Sequence, residues 1–242
     1  MADNQAPTKT DKHRKHFYYF LFPAFPFLVP LQPMHEKLQH IIVQARAIFM
    51  RCGIRSVTMD DVSREMGISK KTLYQFVKDK TDLVNQTMKV EIECDQGKIS
   101  EITQKNLNAI DEIFEITQLV SERIKHMHPS ILFDMQKYYP EAWDIIDKHR
   151  RDFIVKTIKQ NIIHGQEQGL YRKEINSTIV ARLYSSTVDV LSDIDFFADP
   201  SITQTMVYQE NLNYHLHSIT SATGKVYLEE KLSILNPPHY EK

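Results

Sequence analysis

Only two cysteines, Cys52 and Cys94, occur in the 242 residues, and they have no metal-type spacing. That excludes a disulfide scaffold or a cysteine-based zinc module and suits a reducing cytoplasm. Glycine is scarce at six residues, too few and too scattered for a phosphate-cradling loop. There is no GxSxG, no HExxH and no Walker sequence, so the sequence offers no starting point for an enzyme. Charge of either sign is also lacking as an excess. The formal net charge is −1, so any affinity for nucleic acid must come from a local patch. Eleven histidines are present, but His126/His128 and His215/His217 lack helical ligand spacing and a completing acidic or cysteine cluster. No metal and no cofactor are expected.

The patch exists. Residues 34–89 carry ten lysines and arginines against six acids, leaving the remainder of the chain mildly acidic. Within it, residues 58–80 read TMDDVSREMGISKKTLYQFVKDK. Thr58 followed by Asp61 is a capping-box start, and Gly67 can take the left-handed backbone that ends a helix. Ser69 then caps a second helix, expected from Lys70 to about Phe76. Two capped helices sharing so short a turn make a helix-turn-helix, whose second member enters the DNA major groove. Val62, Ile68, Leu73 and Phe76 are the apolar positions that hold the pair together.

The chemistry of the second helix fits that use. Lys70 and Lys71 can reach guanine edges or phosphate, Gln75 can pair with adenine, and Thr72 can touch a thymine methyl. Lys78 and Lys80 follow at its end, where cations suit both the helix dipole and a phosphate strand. The bland alternative for these residues is a solvated basic face. The coincidence of turn chemistry and basic face argues against it.

The run GISKKTLYQFVKDKTDL resembles the signature of the TetR family of bacterial transcriptional regulators, with Gly67, Ser69, Lys70, Thr72, Leu73, Tyr74 and Lys80 matching. The resemblance implies that Lys70, Lys71, Thr72 and Gln75 face base edges, with Ser69 capping the helix that carries them. It implies that Thr58, Tyr74 and Lys80 grip phosphates. Phe76 departs from the usual His or Tyr, and Val77 from the usual Phe.

Residues 1–33 combine a polar basic segment with FYYFLFPAFPFLVP, an aromatic run broken by Pro23, Pro26 and Pro30. A signal-peptide reading lacks a small-residue exit, and the run is too short and broken for a membrane span. These residues are expected to be disordered or an over-called start. From residue 34 the chain reads as helices throughout. Leu38, Ile41, Ile42, Ala45, Ile48 and Phe49 form a helical stripe ended by Gly53. The expected division is a helix-turn-helix domain over residues 34–80, a connecting helix over 81–98, a helical body over 99–222, and a short helix and tail over 223–242. Gly97, Gly165, Gly169 and Gly224 are expected near helix ends, and helices are expected over 102–125, 131–138, 140–164, 177–197 and 201–222. The fold class is therefore all-α, an N-terminal three-helix module followed by a helical bundle.

Two late helices carry apolar stripes. One has Val180, Leu183, Tyr184, Thr187, Leu191 and Ile194, the other Ile202, Met206, Leu212, Leu216 and Ile219. Periodicity alone leaves open whether these face the chain's own core or a partner. By resemblance, Val180, Leu183, Leu191, Met206, Leu212 and Leu216 would pack against a second subunit. The resemblance also implies a pocket for an apolar or amphipathic small molecule, with Phe114, Phe133, Tyr138, Trp143, Phe153 and Tyr184 as candidate walls. The expectation is a cytoplasmic, ligand-responsive homodimeric regulator, most often a repressor in such a family, that binds a DNA palindrome. A helical protein-interaction module or a membrane-tethered regulator retaining the helix-turn-helix are the alternatives.

Overall fold

A computed structural model describes residues 33–193, 195–199 and 201–235. The expectation for residues 1–33 therefore lies, apart from Pro33, outside the described residues. The chain partitions into a unit of residues 1–39 and a unit of residues 40–242. In the first, the described part is the opening of α1 (Pro33–Cys52).

In the second unit α1 continues, followed by α2 (Met59–Glu65), α3 (Lys70–Leu73) and α4 (Lys80–Thr103). The body is α5 (Ala109–Lys125), α6 (Ile131–Tyr138), α7 (Pro140–His149), a π-helical turn (Arg150–Ile154) and α8 (Val155–Glu167). It closes with α9 (Ser177–Ser185), α10 (Thr187–Ser192), α11 (Gln204–Ile219) and α12 (Ala222–Leu235). Among the described residues there is no strand, only an isolated antiparallel bridge between Tyr171 and Thr220. The fold is all-α.

The head is built on the stripe read from the sequence. Ile41, Ile42, Ala45, Ile48 and Phe49 of α1 are buried, as are Val62 of α2, Leu73 of α3, and Leu83 and Val84 of α4. Val77 is fully enclosed, so the smaller residue still plugs its position. In the body, Ile110 and Ile113 of α5, Ile158 and Ile162 of α8, Leu212, Leu216 and Ile219 of α11 and Leu228 of α12 share one core with Tyr171. Burying each such side chain contributes about 1.5–3 kcal/mol.

Several boundaries differ from expectation for identifiable reasons. The helix of residues 81–98 runs on through Gly97 to Thr103, because the solvated Gly97 needs no special backbone there. The helix expected over residues 102–125 consequently begins only at Ala109, capped by Asn108. Gly165 and Gly224 stand inside α8 and α12 rather than ending helices. Each lets another part of the chain approach: a side chain at Gly165 would enter the Tyr171 ring, and one at Gly224 the Leu170 carbonyl. Gly169, with φ +74°, comes directly after Gln168, the C-cap of α8, where a helix terminator is expected. The helix expected over 177–197 is interrupted at Ser186, giving α9 and α10. The long helix from Pro140 is found, but its middle widens into the π-helical turn.

Candidate nucleic-acid interface

The reading head is assembled by local hydrogen bonds that the sequence announces. Thr58 Oγ1 accepts from the Asp61 amide at 3.2 Å, and Asp61 Oδ2 accepts from the Thr58 amide at 2.9 Å. This is a complete capping box, worth about 1 kcal/mol at the cap alone. The Thr58 hydroxyl also donates to Asp61 Oδ2 at 2.6 Å. The hydroxyl and amide of Thr58 hold the Asp61 carboxyl below its ordinary range. A phosphate at Thr58 would have to compete with that carboxylate for the hydroxyl proton.

The turn follows from one residue. Gly67 takes φ +65°, its amide donates to the Arg64 carbonyl at 3.1 Å, and the Ile68 amide returns to Ser63 at 3.0 Å. These are the paired closures of a Schellman motif, for which a left-handed residue is needed. The chain then reaches Ser69, whose Oγ accepts from the Thr72 amide at 3.0 Å. Ser69 Oγ and Thr72 Oγ1 lie 2.8 Å apart and share one proton, which leaves the other hydroxyl proton free to point outward. Helix α3 is a single turn; residues beyond Leu73 continue as turns, with Phe76 N–H donating to the Leu73 carbonyl at 3.0 Å. The second helix is thus shorter than the expected span to Phe76.

At this tip, Lys71, Tyr74 and Gln75 are exposed, and no side-chain hydrogen bond or ion pair holds any of them among the described residues. Tyr74 has 47% of its surface open to solvent, a high value for an aromatic side chain. Lys70 is also exposed but pairs with Asp60 of α2 at 2.7 Å. Lys80 differs most from expectation. Its ammonium is half-buried and donates to the Arg55 carbonyl at 3.3 Å, 6.0 Å from the Tyr139 ring centroid. Burial lowers its pKa, partly offset by Asp134 and Asp61. In this conformation Lys80 faces inward rather than toward a phosphate strand.

Sequence reasoning missed the joint beneath this head. The Arg55 amide donates to Asp134 Oδ2 at 3.1 Å, and its guanidinium donates to the Tyr138 hydroxyl at 3.0 Å while lying over that ring. Arg55 carried no signal beyond its charge, because its partners are about eighty residues away. Arg46 of α1 pairs with Glu91 of α4, and Arg123 of α5 with Asp95 of α4.

The six aromatic pocket candidates do not gather in one place. Phe114 and Tyr184 border the main core, whereas Phe153 packs with Ile99, Ile102 and Ile116 and stacks on His149. Phe133 meets Tyr138 edge-on at 6.4 Å, and Tyr138 belongs to the joint. Trp143 is half-buried on α7. A shallow groove of about 500 Å³ along α12, lined by Ala222, Thr223, Val226, Tyr227 and Glu230, includes none of them. The dimer candidates also divide. Leu191, Leu212 and Leu216 are buried in the chain's own core, because the helical period is the same for a core face and a partner face. Leu183 and Met206 are 69% and 53% exposed, and they are joined by Ile179 and Tyr214, which sequence reading did not single out.

Among the described residues no helix is long and apolar enough to cross a membrane, and no group of three or more His, Cys, Asp or Glu is poised for a metal. Residues 41–87 match the model of the bacterial regulatory proteins of the tetR family. The head is that of a TetR-family transcriptional regulator. Relatives support the assignment. An HTH-type transcriptional repressor, KstR2, from Mycobacterium tuberculosis is 22% identical over 161 residues, covering 64% of this chain and 78% of its own. In structure, a transcriptional regulator from Cytophaga hutchinsonii aligns with TM-score 0.61 at 18% identity, over 76% of this chain and 99% of that one. A regulator from Saccharomonospora viridis, solved in complex with choline, aligns with TM-score 0.60 at 17% identity, over 77% and 99%. The match therefore extends in fold well beyond the family's DNA-binding domain into the helical body.

Proposed function

We propose that this TetR-family regulator is a homodimeric repressor that binds a palindromic operator and is released by a small molecule. The observation that carries the DNA reading is the tip of α3, where Lys71, Tyr74 and Gln75 are solvent-facing and unengaged beside Lys70. Lys70, Lys71, Thr72 and Gln75 would meet base edges, while Tyr74, Ser69, Thr58 and, after turning outward, Lys80 would hold phosphates. Swinging Lys80 from the Arg55 carbonyl to a phosphate exchanges a neutral acceptor for a charged one, which favours the DNA-bound rotamer.

The dimer reading is supported by Ile179 and Leu183 of α9 with Met206 and Tyr214 of α11, large apolar side chains left in water on two helices of the body. A two-fold axis through them would set two α3 tips about 34–36 Å apart, one turn of DNA. A ligand released by such a dimer must favour a body shape that operator binding does not. The place of action would be the cytoplasm, where the DNA is.

The test is an electrophoretic shift on the DNA upstream of the protein's own gene, at low and at moderate salt. Binding that weakens steeply with salt is expected, since much of the affinity is lysine–phosphate contact. Absence of any shift at low salt, on any fragment of that region, would favour the helical interaction module instead.

A further inference from the structure

The inside of the body contains polar atoms that the fold leaves unsatisfied. Among the described residues, Thr117 Oγ1 on α5, and Asn211 Nδ2 and His215 Nε2 on α11, are each shut off from solvent and accept or donate no hydrogen bond of ordinary geometry. Thr117 is 4% and His215 7% exposed. They belong to one neighbourhood. The Tyr184 ring of α9 lies 4.7 Å from the His215 ring, and Tyr184 and Tyr208 bring their hydroxyls beside Thr117. Tyr208, Asn211 and His215 are spaced three and four residues apart, which aligns them on one face of α11. An unpartnered buried donor or acceptor is destabilising, and proteins tolerate few of them. Three from two helices in one region call for an occupant.

The surroundings restrict its chemistry. Burial holds the His215 imidazole at about 4, so it is neutral near pH 7. The nearby cation, Arg123, already pairs with Asp95. Among the described residues neither a carboxylate nor an ammonium ligand would find a free counter-charge there. The two tyrosines belong to apolar clusters, Tyr184 with Ile113, Leu212 and Leu216, and Tyr208 with Ile124 and Leu191.

We infer that Thr117, Asn211 and His215 form the polar end of an interior site for an uncharged small molecule that presents a hydroxyl or carbonyl oxygen on an apolar skeleton. The oxygen accepts from Asn211 Nδ2 and completes the hydrogen bonding of Thr117 and His215. The inference rests on the proposed ligand-responsive body and names where and by what chemistry that body binds.

The experiment is thermal denaturation of the full chain with four probes sharing one six-carbon ring: cyclohexanol, cyclohexanone, cyclohexanecarboxylate and cyclohexane. Molecules this small bind in the millimolar range. At about 20 mM, or at saturation for cyclohexane, the alcohol or the ketone should raise the midpoint by a few degrees. The carboxylate and the hydrocarbon should not. Thr117→Val should abolish the rise, and the unliganded variant should melt close to wild type, since the Tyr184 and Tyr208 hydroxyls beside Thr117 keep each other as partners. His215→Gln is the second variant, and it should reduce the rise too. No rise with either oxygen probe overturns the inference, as does a rise that survives both substitutions or that cyclohexane matches. A lowered midpoint for unliganded Thr117→Val, with no probe response, identifies the occupant as a structural water. Operator binding by the wild-type chain is scored separately. DNA binding without a probe response sinks the site alone, and a probe response without DNA binding sinks the regulator reading alone.

Discussion

Replacing Gly165 with alanine sets two effects of opposite sign against each other. In a helix interior, alanine is favoured over glycine by about 1 kcal/mol, because the unfolded chain loses freedom it need not then give up. At Gly165 the added carbon would fall inside the ring of Tyr171. That ring cannot step aside. Tyr171 is 1% exposed, and its hydroxyl donates to Asn161 Oδ1 at 3.2 Å. Asn161 in turn donates to the Ala109 carbonyl and to Glu112 Oε1, both at 2.8 Å, so three segments fix the ring. Strain from overpacking typically costs about 1–3 kcal/mol, and expelling a buried aromatic about 3–5 kcal/mol. Because the ring is held, expulsion sets the cost, and after the propensity gain Gly165→Ala should destabilise the protein by about 2–4 kcal/mol. Gly97→Ala is the matched control, in α4 with open space around the new carbon, and should stabilise by about 0.5–1 kcal/mol. Urea unfolding followed by far-UV circular dichroism measures both. A Gly165→Ala protein as stable as wild type would refute the claim that this glycine exists for close packing.

Four further outcomes are expected. Lys80→Ala should weaken operator binding on all sequences and make the salt slope shallower by about 0.9 through loss of one phosphate contact, whereas Gln75→Ala should relax preference at one base pair for about 1–3 kcal/mol; competition shifts at several salt concentrations separate these. Leu183→Glu with Met206→Glu should yield a folded single subunit in sedimentation, because both side chains are solvent-facing within the chain; a dimer of undiminished stability would move the interface elsewhere. Burial, with Arg123 adding to it at His149, holds His149 and His215 at about 4. An unfolded histidine takes its proton near 6.5, so stability is full above that pH and falls as pH drops toward 4, by about 2–3 kcal/mol for each; urea midpoints between pH 7 and pH 4.5 should decline, and less so in His149→Gln. Arg55→Ala should leave α3 intact but alter operator affinity through the lost Tyr138 contact, a change that isolated-base preference should not register.

What could be read from the amino acids was whatever is settled within a few residues. Thr58 with Asp61, Gly67 and Ser69 announced two caps and a turn, and each closes through partners no more than five residues away. Pro140 likewise opens its helix at the first position, where its missing amide is harmless. Glycine failed as punctuation at three positions because its roles differ. Gly97 is merely tolerated, while Gly165 and Gly224 are required by Tyr171 and Leu170, and no local pattern distinguishes those uses. The apolar stripes left their own partner open for a related reason. Leu183 and Leu216 have the same period and hydropathy, yet one is 69% exposed and the other fully buried. Which face is covered depends on how α5 and α8 pack, and that is information held in distant residues. The inward turn of Lys80 was equally hidden, since the acceptor it found belongs to a loop twenty-five positions earlier.

The joint explains how a change in the body could reach the head without passing through a flexible hinge. Helix α4 is held near its middle by two charged pairs, Arg46–Glu91 to α1 and Arg123–Asp95 to α5, only four residues apart on the same helix. A second tether runs independently: the His128 amide donates to the Met50 carbonyl at 2.8 Å, and Asp134 receives both the Arg55 amide and the Ser130 hydroxyl. Gly53 is closed in by Ser130 and His128, so this contact leaves little room for slack. A body movement that shifts α5 while leaving α6 in place would pull on α4 but not on the loop after α1, and the two tethers would then conflict. A movement that carries α5 and α6 together meets no such conflict and turns the head as one piece. The arrangement therefore favours rigid rotation of the reading head over local unfolding, and in the proposed dimer a rotation of each head would alter the distance between the two α3 tips.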